Sequence, residues 1–230
     1  MSNDDYIEIP FNATGYLFGA SFKGKRRFDG PTNTNSVKVL IDTFWIMAYP
    51  LTYRQCMDNL PETYKKFRNV KDMSNTEKDK PIYGLTFQEA TNLATAMNGR
   101  LPTEAEWELA ATKKPIPKIH SLEWCLDIWH PKIFIELKDG CKNPLVANDD
   151  SINTPFNNDK KDNIPNSPHT EFHIITPPVH CLGKRVVKGW SEESPEHQRQ
   201  ISFRRALHEN MRHDHVGLRL VFTSSDREQP

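Results

Sequence analysis

Nine histidines occur in the 230 residues, and three of them, His208, His213 and His215, crowd together near the C-terminus with Glu209 and Asp214 interleaved. Imidazole nitrogens and carboxylate oxygens are the ligands that zinc, iron and copper take. In extended chain His213 and His215 would point to the same side, which a metal could use. The segment runs into Gly217 and reads as a loop, however, so chance proximity outweighs a metal site at His208, His213 and His215. His169, His173 and His180 form a looser group. Asp149, Asp150, Asp159 and Asp162 lack the alternating spacing and central glycine of an EF-hand, which argues against calcium there. The sequence holds no G-x-S-x-G elbow, no phosphate-cradling glycine loop and no HExxH. Its four cysteines, Cys56, Cys125, Cys141 and Cys181, show no CxxC spacing, so a zinc ribbon or a thioredoxin-type motif is not expected. Reduced thiols are the expectation.

The bulk properties narrow the setting. Thirty basic residues balance thirty acidic ones, leaving no net field to draw in nucleic acid or a membrane surface. Hydrophobic residues make up 37% and charged residues 26%, the balance of a soluble globular domain. No apolar run reaches the roughly 18 residues of a membrane span. Met1 to Asp5 is acidic with no apolar region behind it, so a cytoplasmic location is expected.

The elements that must position any site are well signalled in the first half. Tyr16–Gly19 reads as a short strand and turn, and Val37–Ile41 and Phe44–Met47 as a β-rich stretch. The basic run Lys23–Arg27 reads as a solvated loop. Three helix starts carry the capping-box pattern: Thr52 with Gln55, Thr86 with Glu89, and Thr103 with Glu106. Leu51, Leu85 and Pro102 precede the caps as apolar staples. The second helix should bury Ala90, Leu93, Ala94 and Met97 and stop at Asn98-Gly99. The third should bury Trp107, Ala110 and Ala111. Beyond residue 120 short β pieces are expected at Leu122–Trp129, Ile133–Leu137, Phe172–Ile175, Arg185–Val187, Ile201–Phe203 and Leu218–Phe222. Residues 143–170, rich in Asn, Asp, Pro and Lys, read as a mobile polar surface loop.

Seven of these pieces, in order over residues 16–222, resemble the formylglycine-generating-enzyme or sulfatase-modifying-factor family. They are Tyr16-Leu17-Phe18-Gly19, the stretch Phe44 to Thr52, Pro81 to Ala90, Arg100-Leu101-Pro102-Thr103-Glu104-Ala105-Glu106-Trp107-Glu108, Leu122 to Asp127, Arg185 to Ser191, and Val216 to Val221. The resemblance implies a single α+β domain with a variant C-type-lectin-like fold and little regular structure. It would span 16–223, with an extension at 1–15, the 143–170 insert, and a flexible tail at 224–230. Arg100, Glu104, Trp107, Glu123, Trp124, Gly217 and Arg219 are expected to be scaffold, as buried Arg–Glu pairs and packed tryptophans.

The family's oxidases carry two copper-binding cysteines just beyond the element matched here by Arg185–Ser191. Residues 191–205 contain no cysteine. Soft thiolates select Cu(I), and serine does not replace them. The histidine-supplying helical domain of the family's sulfoxide synthases has no counterpart before residue 16. The Asn that supports calcium is lost at Ile119-His120-Ser121-Leu122-Glu123-Trp124. No cofactor is therefore expected, with calcium, iron or copper the minority readings. In this fold the segment from Trp190 to His215 would form the ligand face, offering Trp190, Arg199, Arg204, Arg205, His208 and Arg212, of which Trp and Arg are types that dominate binding hot spots. The expectation is a non-catalytic, pseudoenzyme module that holds a protein partner, with a bacterial immunity or secretion-accessory role as the guess from the fold. Against it stand an iron- or copper-dependent oxidoreductase with relocated histidine ligands, and a glycan or small-ligand binder.

Overall fold

Residues 6–19, 36–60, 73–113, 121–148 and 170–223 are described in the computed structural model. The basic run 23–27, most of the polar insert and the tail beyond 223 lie outside them.

Among the described residues the chain forms four small sheets and five short α-helices. Strands β1 (Tyr6–Ile9), β4 (Phe44–Met47) and β12 (Val221–Phe222) form one antiparallel sheet in the order β1-β4-β12. The second, in the order β10-β9-β5-β11, joins β5 (Leu122–Ile128), β9 (Lys184–Gly189), β10 (Arg205–His208) and β11 (Val216–Gly217). A third unites β2 (Tyr16–Phe18), β3 (Val37–Leu40) and β6 (Cys141–Lys142), and a two-stranded parallel ribbon pairs β7 (Pro144–Val146) with β8 (His173–Ile175).

The central strands are buried on both faces and separate two hydrophobic clusters. Cys125, Val186 and Val221 face one cluster, whereas their neighbours Trp124, Val187 and Phe222 face the other. Side chains alternate along a strand, so a strand sandwiched between two cores reads as an unbroken apolar run. The first cluster lies under β1–β4 and one helix; the second is closed by the other long helix, with Phe87, Ala90, Ala94 and Met97 packed inward.

The helices begin where the caps predict. α1 (Tyr53–Asn59) and α3 (Phe87–Ala96) each show a complete capping box, from Thr52 with Gln55 and from Thr86 with Glu89. α4 (Glu104–Lys113) shows the same pair of bonds: the Glu106 N–H donates to Thr103 Oγ1 at 3.2 Å and the Thr103 N–H to Glu106 Oε2 at 2.8 Å. α3 stops at Asn98, which takes a left-handed φ of 57°. Gly99 follows because a Cβ there would stand 2.9 Å from the Phe222 ring. A fourth box, Ser74 with Glu77, starts the one-turn helix α2 (Asn75–Lys78), which the sequence reading passed over.

Four expectations differ from the structure. Of the strand expected over Leu218–Phe222, only Val221–Phe222 is one, and 218–220 are irregular. Ile133–Leu137 is not a strand; Ile133–Glu136 is the one-turn helix α5, closed by the Leu137 N–H on the Ile133 carbonyl. Its buried Ile133, Phe134 and Leu137 follow helical rather than alternating spacing. Ile201–Phe203 is a turn, with the Phe203 N–H on the Gln200 carbonyl, and the strand starts two residues later. The insert does not begin at 143 as surface loop: Asn143 is buried, bonding Asp42 and the Glu171 carbonyl, and Leu145 and Val146 lie in the core. Apart from these pieces the architecture is the expected single α+β domain.

Candidate functional site

α4 lies over the face of β5 and β9 that carries Glu123, Asp127 and Lys188. Its own buried face presents Glu104, Trp107 and Glu108, so six polar or charged groups meet in a closed interior. Arg204 clamps Glu104 with two bonds, Nε to Oε1 at 2.6 Å and NH2 to Oε2 at 2.8 Å, and donates NH1 to the His130 carbonyl at 3.0 Å. Its guanidinium stacks over Trp129 and Phe134, 4.6 Å and 5.3 Å from the ring centres. Lys188, wholly buried, reaches Glu108 Oε2 at 2.9 Å and Glu104 Oε1 at 3.5 Å. The other oxygen of Glu108 accepts the Tyr16 hydroxyl at 3.1 Å and the Gly19 N–H at 2.6 Å, tying β2 to α4. Burial works to raise Glu104, but Arg204 and Lys188 outweigh it and hold its carboxyl below the usual range.

A second buried knot involves the same helix. Arg219 donates Nε and NH2 to Glu123 at 2.8 and 2.9 Å and NH1 to the Met47 and Ala48 carbonyls at 3.0 and 2.6 Å. The Trp107 indole N–H shares Glu123 Oε2 at 2.8 Å. Arg100 pairs with Glu106, and the Trp124 indole N–H bonds the Leu85 carbonyl. Gly217 is required by close approach, since a Cβ there would meet the Ile82 carbonyl oxygen at 2.7 Å. All seven motif residues thus sit in the interior.

Above these knots, residues 190–204 link β9 to β10. The Ser191 N–H donates to Ser194 Oγ at 3.0 Å, and Arg199 donates Nε to the Ser194 carbonyl at 2.7 Å and NH2 to the Glu192 carbonyl at 2.6 Å. Arg205 donates to the Gly189 carbonyl at 2.6 Å and Gln198 Oε1 at 2.9 Å, and lies 4.7 Å over the Phe203 ring. Its burial pulls its pKa down to about 10. Trp190 is half-buried and packs on the first core cluster. Of the six residues expected on the ligand face, Arg204 is not on it, because its charge is consumed below by Glu104. Arg199, Arg205, His208 and Arg212 reach the surface wholly or in part, Arg212 paired with Glu89.

The three histidines do not converge. His213 and His215 have ring centres 5.9 Å apart, and His215 Nε2 lies 3.3 Å from Glu193 Oε2. His208 sits on β10 opposite Lys184. The Nδ1 of His208 accepts the Asn210 N–H and the Nδ1 of His213 accepts the His215 N–H, each at 3.3 Å. Those bonds place the proton of the neutral ring on Nε2, the nitrogen a metal outside the loop would need bare. Among the described residues no group of three His, Cys, Asp or Glu is arranged to hold a metal ion.

All four thiols are free, and burial raises each of them, Cys56 up to about 12. The sequence reading missed Lys188, Glu108, Asp127 and Tyr16. One signal was available: a lysine inside the apolar run Val186-Val187-Lys188-Gly189 must have a buried acid to meet.

Residues 16–114 match the family profile "Sulfatase-modifying factor enzyme 1-like domain". No curated protein matches the chain. Among solved structures, Treponema denticola variable protein 1 superposes with a TM-score of 0.53 at 13% identity, over 94% of each chain. PvdO from Pseudomonas aeruginosa superposes with a TM-score of 0.54 at 14% identity, over 94% of this chain and 93% of that one. At such identities these two show the fold alone. Residues 16–114 are thus similar to the sulfatase-modifying-factor domain, and the fold of the described residues is that of the two solved structures.

Proposed function

We propose that the protein is a non-catalytic binding module on this scaffold, holding a protein partner through the face that Trp190, Phe203, Arg205 and His208 border. The observation that carries the reading is the segment following β9. Just beyond the Arg185–Ser191 element, where the family's oxidases place a cysteine pair, this chain has no cysteine; Ser194 there bonds back to Ser191 and is held by Arg199. Serine hydroxyls give no soft ligand for Cu(I) and no thiolate for oxygen chemistry. The remaining thiols are turned into the core or sit outside this face, so they do not rebuild the pair. What the face offers is an amphipathic set of an indole, a phenyl ring, a guanidinium and an imidazole, suited to a polar protein surface.

The test is capture of a stoichiometric partner with untagged protein, followed by titration of the purified pair. Arg205→Ala should weaken that complex by tenfold or more while the fold persists. A full-strength complex with Arg205→Ala, or turnover of oxygen by the purified chain, would remove this reading. The latter would favour the oxidoreductase alternative.

A further inference from the structure

Lys188 on β9 and Glu108 on α4 are both sealed from solvent, at 0% exposure, and Nζ of the one lies 2.9 Å from Oε2 of the other. They stand 80 positions apart in the chain. An amine and a carboxyl fixed this close in a dry interior are the two halves of an amide. Three neighbours make the arrangement more specific than an ion pair requires. The far oxygen of the carboxyl, Oε1, already accepts two donors, the Gly19 N–H at 2.6 Å and the Tyr16 hydroxyl at 3.1 Å. A second carboxylate, that of Glu104, stands 3.5 Å from the same Nζ. The Trp107 ring flanks the amine, its centre 5.7 Å from Nζ.

We propose that Lys188 and Glu108 join in an intramolecular isopeptide bond, a covalent link from β9 to α4 formed with loss of one water. A proton first passes from Nζ to Oε2 across the bond between them, leaving a neutral amine beside a neutral carboxylic acid. Burial favours that uncharged pair over two desolvated charges. Nζ then adds to Cδ, and the electron pair of the carbonyl moves to Oε1. The Gly19 N–H and the Tyr16 hydroxyl receive the charge there, as the donors of an oxyanion hole do. Glu104, which Arg204 and Lys188 hold ionised, takes one proton from the nitrogen. The carbonyl reforms at Oε1 as the Cδ–Oε2 bond breaks. Oε2 leaves as water, carrying its own proton and the one that Glu104 returns.

Ammonium and carboxylate thus become amide and water, so charge balances and neither oxidant nor activating group enters. Fixed placement replaces activation, because holding the partners in contact makes the condensation unimolecular. The product leaves the cluster matched. The amide oxygen keeps both donors, the amide N–H faces Glu104, and Arg204 keeps its two bonds to Glu104. The residue type matters as well: a guanidinium at 188 would pair with Glu108 but supply no amine to condense.

The test is the mass of the intact, untagged chain, fully reduced and unfolded in denaturant. The expected value is the mass of the encoded chain less one water. Trypsin should then release 101–113 joined to 186–199, with no cleavage after Lys188. Lys188→Arg should restore the full mass. Tyr16→Phe keeps the ring but removes one oxyanion donor, and should slow linkage in freshly synthesised protein by on the order of a hundredfold. A full mass in the unaltered protein, with 101–113 recovered unlinked and Lys188 cleaved normally, overturns the proposal whether or not either variant folds. A missing water that maps to any other pair of residues overturns it equally.

Discussion

Arg219 and Glu123 stand 96 positions apart in the chain and form a two-bond ion pair, at 2.8 and 2.9 Å, that is sealed from solvent on all sides. The pair holds β5 against the turn before β12, while Trp107 of α4 leans on the same carboxylate. Glu123→Ala would strand a buried guanidinium that is also bonded to two carbonyls. Breaking such a pair costs about 3–5 kcal/mol. Urea unfolding of the variant should show that loss; a change under about 1 kcal/mol would mean the pair contributes little.

The helix caps make a smaller and independent contribution. Thr86→Ala removes the acceptor for the Glu89 N–H and half of a capping box whose Glu89 also pairs with Arg212. A loss of about 1 kcal/mol is expected from thermal or chemical unfolding. Thr86→Ser, which restores the hydroxyl, should recover most of it.

Two acids at the start of α4 carry opposite pH signs. Glu104 is held below the ordinary range, so its stabilisation is present at neutral pH and is lost as the pH falls through its folded value. Asp127 is raised to about 7, so its contribution is present in acid and is lost as the pH climbs from about 4 towards 7. Stability measured by denaturant from pH 3 to 9 should pass through a maximum on the acid side of neutrality. In D127N the falling limb between 5 and 7 should vanish while the acid limb stays.

Thiol reactivity offers a fourth check. Cys141 is half-exposed, whereas Cys56, Cys125 and Cys181 are buried. In the folded protein a thiol reagent at pH 8 should label Cys141 first, with Cys56 and Cys125 labelled only at the rate of unfolding. Rapid labelling of Cys125 in the native state would contradict the closed interior beneath α4.

Much of this was legible before the structure. The caps at Thr52, Thr86 and Thr103 are local chemistry, in which side chain and backbone three residues apart satisfy each other, and they stood where the sequence placed them. The motif acids and arginines declared themselves through types that a solvated helix face does not need in such density. What was not legible is long-range. Ile133–Leu137 offers a short apolar run that strand and helix both accommodate, and its fate was decided by burial of Phe134 against Phe18. Arg204 and Arg205 are adjacent and identical in type, yet one is buried on Glu104 and the other lies half-buried over Phe203. Nothing in the local string distinguishes them. The histidines share a short stretch, but the tautomers set by Asn210 and His215 backbone donors depend on turn geometry that spacing does not reveal.

The central claim is the proposal that this chain does not carry out thiol–copper oxidation, and a single experiment addresses it. The purified, untagged and fully reduced protein is titrated with Cu(I) against a chromophoric chelator, with oxygen uptake followed in the presence of a cysteine-containing peptide. The expected result is no stoichiometric Cu(I) uptake and no oxygen consumption above that of the peptide alone. One equivalent of tightly held Cu(I), with oxygen consumed in proportion to peptide oxidised, would contradict it.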